Sequence, residues 1–265
     1  ALPKLEGKTL VSIFFNPSLR TRLSFQIAMQ RLGGNAIVLN VQKETWAIEF
    51  EDGAVMDGAT SEHVKEAARV LDRYADVLSV RAFPRFASWE EDRKDKIIQS
   101  FARHTKIPVI NMESAMFHPC QGLADALTVL ERLGDPRGKK FLLTWTWHPK
   151  ALPLSVTHSA LLAAAHLGMY ITLACPESYD PDPQILKKVE ELSVKNGGGF
   201  EISRDQVKAA QRAKVVYAKS WTSIDCWSNH TKEMEKRKAF RSWKAVSYTH
   251  LRAHETRHDL VCRLL

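Results

Sequence analysis

At 265 residues, 45% hydrophobic and 26% charged, the chain holds enough apolar material for one large core or two ordinary ones, which excludes disordered, collagen-like and disulfide-scaffold classes. Its longest apolar stretch, 160–165, is far short of the roughly 20 residues that cross a bilayer, and no basic segment leads into an apolar one at the N-terminus. Of the net charge of +8, residues 232–265 carry nine Lys or Arg against four Asp or Glu, so the rest is nearly balanced; this basic stretch, with only Phe240, Trp243 and Tyr248 scattered through it, reads as a solvated tail and predicts neither nucleic-acid nor membrane partners.

Short β-rich runs alternate with longer segments of helical period, the pattern of an α/β fold with parallel sheets. The first half reads strand 9–15, helix 19–32, strand 36–41, helix 62–74, strand 77–80, helix 90–104, strand 108–112 and helix 121–133. A turn-rich break, Gly134-Asp135-Pro136-Arg137-Gly138, precedes strand 141–144, helix 155–167, strand 170–174, helix 184–195, a short run at 200–202, helix 206–213 and strand 215–218. Two βαβ domains are expected, 1–134 and 135–244, with a ligand in the cleft between them. The four cysteines, Cys120, Cys175, Cys226 and Cys262, are far apart and form no C-x-x-C pair. Together with the missing export signal they predict a reducing cytoplasm, without a disulfide or structural zinc. Asn196-Gly197-Gly198-Gly199 is read as a turn, because it lacks the G-x-G-x-x-G spacing of a dinucleotide loop.

The sharpest local signal is Asn16-Pro17-Ser18-Leu19-Arg20-Thr21-Arg22, where an apolar strand runs into the start of a helix. Pro17 stops the strand and Ser18 is a good N-cap. The backbone N–H groups of Leu19, Arg20 and Thr21 are then expected beside two guanidinium groups, an arrangement suited to phosphate. On spacing alone a capped helix with solvated arginines fits equally well. Arg81, after strand 77–80, and His118-Pro119-Cys120-Gln121, after strand 108–112, belong to the same edge of a parallel sheet. Arg20, Arg81, His118 and Gln121 are therefore expected around one ligand.

These residues carry a resemblance. Ser18-Leu19-Arg20-Thr21-Arg22 resembles the S-x-R-T-R carbamoyl phosphate loop of the transcarbamylases, the aspartate/ornithine carbamoyltransferase family, and 118–125 resembles their H-P-x-Q-x-L-A-D motif. The neighbourhoods 44–49, 56–58, 144–150 and 217–221 are similar to the branch that acts on N-acylated ornithine. The resemblance, over about 5–221, implies transfer of a carbamoyl group from carbamoyl phosphate to the amine of N-acetylornithine, giving N-acetylcitrulline and phosphate in arginine biosynthesis. N-succinylornithine and ornithine are the alternative substrates. Outside enzymes, a carbamoyl phosphate-binding or oligomerising module without turnover is the alternative.

The resemblance implies that Ser18, Leu19 through its backbone, Arg20 and Thr21 hold the phosphate. Arg81 and His118 meet phosphate and carbonyl oxygen, and Gln121 holds the carbamoyl NH2. The acylornithine falls to Glu113 and Lys219, with Trp46 reaching in from a neighbouring subunit of a homotrimer. Ser61 is a gate for the acyl group, or only the N-cap of helix 62–74. No cofactor and no metal are implied. Trp145, Trp147 and Trp221 are read as structural or cleft-lining.

Departures from the family pattern lead to further expectations. The chain starts close to the first strand and shows no H-C-L-P motif, so the second domain is expected to be incomplete and the chain inactive as written. The resemblance fades after about Lys244, and residues 245–265 look like a translated sequencing adapter. His250, His254 and His258 share a helical spacing there, but no third ligand is anchored by a fold, and no metal site is expected.

Overall fold

The structure is a computed structural model that describes residues 4–41 and 43–245. The tail reading for 246–265, the histidine spacing at 250–258 and Cys262 lie outside the described residues. The chain divides into two compact units, 1–85 with 90–116, and 86–89 with the residues from 117 onward.

The first unit contains β1 (Thr9–Phe14), α1 (Arg20–Arg31), β2 (Asn35–Asn40), β3 (Ile48–Glu49), β4 (Glu62–His63), α2 (Val64–Tyr74), β5 (Val77–Arg81), α3 (Trp89–Asp92), α4 (Lys96–His104) and β6 (Val109–Glu113). Trp89, the first residue of α3, counts with the second unit. A four-stranded sheet runs in the order β2-β1-β5-β6, every pair parallel. Val11, Ile13, Leu78 and Val80 pack with Val64, Ala68, Ile98 and Phe101 from the helices. The chain winds from β1 outward to β2 in one direction and from β5 to β6 in the other. The carboxyl edge between β1 and β5 is therefore the topological switch point, where an open α/β sheet leaves a crevice.

Two expectations for this unit are corrected. The single helix over 90–104 is two helices, because Asp95 takes a left-handed conformation (φ 48°). Its carboxylate instead accepts from Ser114 Oγ (2.6 Å) and from the N–H groups of Ala115 and Met116 (3.0 and 3.2 Å), which ties down the turn after β6. Burial, the largest influence, pushes this carboxyl up. The helix expected from 62 starts at Val64, with His63 as N-cap: its Nδ1 accepts from Lys65 N–H at 3.1 Å. Ser61 is therefore not the cap, because Glu62–His63 is spent on the small β3–β4 pair.

The second unit contains α5 (Pro119–Leu133), β7 (Lys140–Trp145), α6 (Ser155–His166), β8 (Tyr170–Ala174), α7 (Pro183–Lys195), β9 (Gly199–Ser203), α8 (Gln206–Ala210), β10 (Val215–Lys219), a 3₁₀ turn at Ile224–Cys226 and α9 (His230–Lys238). Its sheet runs β10-β7-β8-β9, again fully parallel, with the switch point between β7 and β10. The short run expected at 200–202 is the edge strand β9. The helix α9 was not anticipated, because its sequence HTKEMEKRK shows no apolar stripe. Glu233 and Arg237 are nevertheless buried in it. Arg237 donates to the carbonyls of His148 (2.7 Å), Lys150 (2.6 Å) and Trp221 (3.2 Å) as well as to Glu233, so a buried charge satisfies the loop after β7.

Contacts divide the chain before α5, whereas the turn-rich break suggests a boundary at 134. The reason is local packing: a Cβ on Gly122 of α5 would lie 3.1 Å from the Ser159 carbonyl of α6, and only a glycine lets the two helices come that close. Trp145 and Trp221 are fully buried. Trp145 Nε1 donates to the Trp221 carbonyl (3.0 Å) and Trp221 Nε1 to the Tyr179 carbonyl (2.7 Å), so both are structural. No helix among the described residues is long and apolar enough to cross a membrane. Cys120, Cys175 and Cys226 are free thiols.

Candidate functional site

The carboxyl ends of β2, β1, β5 and β6 align at Asn40, Phe14, Arg81 and Glu113 through the strand register. The loop after β1 therefore starts at the same level as Arg81. Asn16 Oδ1 accepts from Phe83 N–H at 2.7 Å, which fastens this loop to the chain leaving β5. Ser18 Oγ accepts from Thr21 N–H at 3.2 Å, and Arg81 Nη1 donates to Thr21 Oγ1 at 3.4 Å. Thr21 N–H is thus already engaged, not free as the sequence suggests, and Ser18 caps the first turn from one residue further out than the helix boundary at Leu19.

Arg81 is 8% exposed and its Nη1 lies 2.7 Å from Glu113 Oε2. Burial, the dominant influence, lowers the guanidinium pKa. Glu113 opposes this, and the positive charge of Arg20 lowers it further. Two guanidinium groups are therefore held close enough to repel, one buried and one exposed, beside a helix N-terminus. An anion relieves that repulsion and takes charge-assisted hydrogen bonds from both. The pairing of Glu113 with Arg81 was missed from sequence. Its only signal is that both residues end neighbouring parallel strands.

Trp46 is 68% exposed in this chain. Ser61 is exposed and lines a cavity of about 420 Å³ with Gly53, Ala54, Met56, His63 and Lys65. His63 Nε2 lies 3.0 Å from the Glu51 carbonyl, and Lys65 Nζ lies 2.7 Å from Asp52. The wall mixes apolar surface from Ala54 and Met56 with charges of both signs from Lys65, Glu62 and Glu66.

In the second unit, His118 caps α5. Its Nδ1 accepts from Gln121 N–H (3.4 Å), and its backbone N–H donates to Ser159 Oγ (2.8 Å). An accepting Nδ1 puts the ring proton on Nε2, so the imidazole offers a donor there. Gln121 Nε2 donates to Asp125 Oδ1 at 2.8 Å. Lys219 ends β10, paired with Trp145 at the end of β7, and its carbonyl accepts from Thr146 N–H at 3.0 Å. Lys219 and the Thr146–Lys150 loop thus flank this unit's switch point. The first unit gathers Ser18, Leu19, Arg20, Thr21, Arg81 and Glu113 at one edge, and the second holds His118 and Gln121 on one helix turn. Among the described residues no group of three or more His, Cys, Asp or Glu is placed to hold a metal.

Residues 1–131 match the family model described as aspartate/ornithine carbamoyltransferase, carbamoyl-P binding domain, and 153–257 match its Asp/Orn binding domain. The chain belongs to the aspartate/ornithine carbamoyltransferase family. The second match takes in the first part of the 245–265 segment, past the point where the motif resemblance fades. Within the family, the chain is 48% identical over 229 residues to an N-acetylornithine carbamoyltransferase of Xanthomonas axonopodis pv. citri, covering 85% of this chain and 66% of the relative. It is 39% identical over 217 residues to an N-succinylornithine carbamoyltransferase of Bacteroides fragilis, covering 82% and 64%.

Two solved structures of the carbamoyltransferase family each share 46% identity and a TM-score of 0.88 with this chain. One is an acetylornithine transcarbamylase complexed with acetylcitrulline, covering 90% of this chain and 72% of that one. The other is a glutamate-to-serine variant of N-acetyl-L-ornithine transcarbamylase complexed with carbamyl phosphate and N-succinyl-L-norvaline, covering 91% and 74%. The chain spans about two thirds of the length of the curated N-acetylornithine carbamoyltransferases it matches, 66% and 67% for two of them.

Proposed function

We propose that this protein transfers the carbamoyl group of carbamoyl phosphate to the side-chain amine of N-acetyl-L-ornithine, releasing phosphate and N-acetylcitrulline. The amine attacks the carbonyl carbon, an oxyanion develops next to a dianionic phosphate, and the C–O bond to phosphate breaks. Fixed positive charge and aligned donors are what such a transition state needs. Arg20, Arg81, Ser18, Thr21 and the Leu19 N–H take the phosphate. Arg81 and His118 Nε2–H donate to the carbonyl oxygen, and Gln121 Oε1 accepts from the carbamoyl NH2. None of these steps calls for a metal or cofactor.

The observation that carries the reading is the buried Arg81 at the switch point of the first sheet, bonded to Thr21 and beside Arg20. Calorimetric titration with carbamoyl phosphate tests it. Arg20→Ala removes charge-assisted donors worth about 1.5–3 kcal/mol each, so affinity drops by on the order of tenfold to a hundredfold. Equal affinity in the variant overturns the site assignment.

Glu113, Lys219, Trp46 and the Ser61 cavity take the acylornithine. Exposure of Trp46 within one chain supports its insertion into a neighbouring subunit of a homotrimer. Free thiols at Cys120, Cys175 and Cys226 support a reducing cytoplasm, and the likeness to N-acetylornithine carbamoyltransferases supports a place in arginine biosynthesis. A second substrate, N-succinylornithine, is favoured by Ser61: a succinyl group ends in a carboxylate, which an uncharged residue accepts and a glutamate repels. The solved relative bound to N-succinyl-L-norvaline carries a glutamate-to-serine change, in keeping with that reasoning.

A further inference from the structure

Gln121 and Asp125 sit one turn apart on α5, and the amide Nε2 donates to Asp125 Oδ1 at 2.8 Å. Asp125 is 4% exposed, and the side chain of Tyr217, on β10, is a neighbour that favours its ionised form. A carboxylate only accepts, so it chooses which end of the amide faces it. Nε2 must point to Asp125, and Oε1 is left on the opposite side. The two ends have opposite polarity toward a ligand. Oε1 accepts from an NH2 group, whereas Nε2 in its place sets donor against donor.

We propose that Asp125 is a positioning residue that fixes the polarity of Gln121, so that Oε1 meets the carbamoyl NH2 only while Asp125 is ionised. The proposal rests on the reading of Gln121 as the acceptor of that NH2. Protonation removes the charge assistance from the Gln121 contact and gives Asp125 a hydrogen of its own, after which the amide is no longer held one way round. Of the titratable groups on the elements around it, Tyr217 acts on the carboxylate. His118 turns its Nδ1 to Gln121 N–H, and His158 of α6 turns its Nε2 to Asp182 N–H (3.4 Å). Burial, stronger than the opposing influence of the Gln121 and Tyr217 side chains, pushes the carboxyl up to about 6. The switch therefore falls near pH 6.

The test is calorimetric titration of the chain with carbamoyl phosphate and, separately, with inorganic phosphate from pH 5 to 8. The ratio of the two affinities isolates the carbamoyl group. Dividing each variant's profile by that of the wild type cancels ligand ionisation. The wild-type ratio is expected to fall about tenfold between pH 7.5 and pH 5, since only about a tenth of the carboxyl groups stay ionised one unit below the pKa. Asp125→Asn is expected to lose that dependence and stay near the acid-side ratio throughout, with phosphate affinity preserved.

Tyr217→Phe removes the hydroxyl that favours the ionised carboxylate, so its midpoint is expected to move to higher pH; this arm serves even if the Asn variant does not fold. Gln121→Ala is expected to lower the ratio at every pH. An unchanged ratio there removes the reading of Gln121, and the proposal with it. If Gln121→Ala lowers the ratio while Asp125→Asn follows the wild-type profile, or while Tyr217→Phe leaves the midpoint in place, Asp125 does not set the amide and the proposal alone is overturned.

Discussion

Replacing Glu113 by Gln is expected to weaken the protein and at the same time tighten its grip on phosphate. Arg81 and Glu113 are 8% and 6% exposed and meet at 2.7 Å, so the guanidinium has little water to fall back on. An arginine cannot escape by losing its proton. Deleting one partner of a buried pair costs about 3–5 kcal/mol, and the glutamine retains a neutral acceptor, which leaves a loss of about 2–3 kcal/mol. At roughly 2–4 °C per kcal/mol for a chain of this size, the melting temperature should drop by about 4–12 °C.

The freed Arg81 then meets an incoming phosphate without a competing carboxylate, so phosphate affinity should rise on the order of tenfold. Scanning calorimetry with and without inorganic phosphate reads both effects, because a ligand at a hundred times its Kd stabilises the folded state by about 2.7 kcal/mol. Phosphate should thus restore more of the melting temperature in the variant than it adds to the wild type. Equal phosphate-induced shifts in the two proteins would refute the assignment of Arg81 to the anion site, and an unchanged melting temperature without phosphate would refute the weight given to the pair.

Other outcomes follow from the same structure. Asp125 has its folded pKa raised from 3.8 to about 6, so its contribution to stability is fully present below the unfolded value and is lost as pH rises through about 6. The roughly two-unit shift corresponds to about 3 kcal/mol, and urea unfolding of wild type and Asp125→Asn at pH 4 and pH 7 should differ by an amount of that order. In a version of the chain extended to the full length of its curated relatives, Ser61→Glu should suppress turnover of N-succinylornithine while sparing N-acetylornithine, read as the ratio of kcat/KM values; an unchanged ratio means Ser61 is no gate. Gly168 has φ +65°, and a Cβ there would stand 2.3 Å from the Asn196 carbonyl. Gly168→Ala should therefore cost about 2 kcal/mol or more in denaturant unfolding, and a neutral result would contradict the close approach of the α6–β8 and α7–β9 turns.

Much of the fold was legible because the chain alternates apolar strands with amphipathic helices, a pattern that local chemistry sets. The same holds for the turn after β1, where Pro17 and Ser18 act on their own neighbours, whereas the cap of α5 by His118 was not read from the sequence. Only the tertiary structure decided how those pieces were used. Asp95 sits inside a run of helical period, yet its carboxylate satisfies the turn at 114–116, and that distant need breaks the helix. Ser61 looks like a cap, but strand pairing of Glu62–His63 hands the role to His63. The charge-rich α9 shows no apolar stripe, because what it buries is Glu233 and Arg237. Glu113 finds Arg81 across 32 positions of sequence only because two parallel strands end side by side. Local rules carry the elements and their caps, whereas ion pairs, carboxyl burial and the choice of amide face arise from contacts between segments that no spacing in the sequence records.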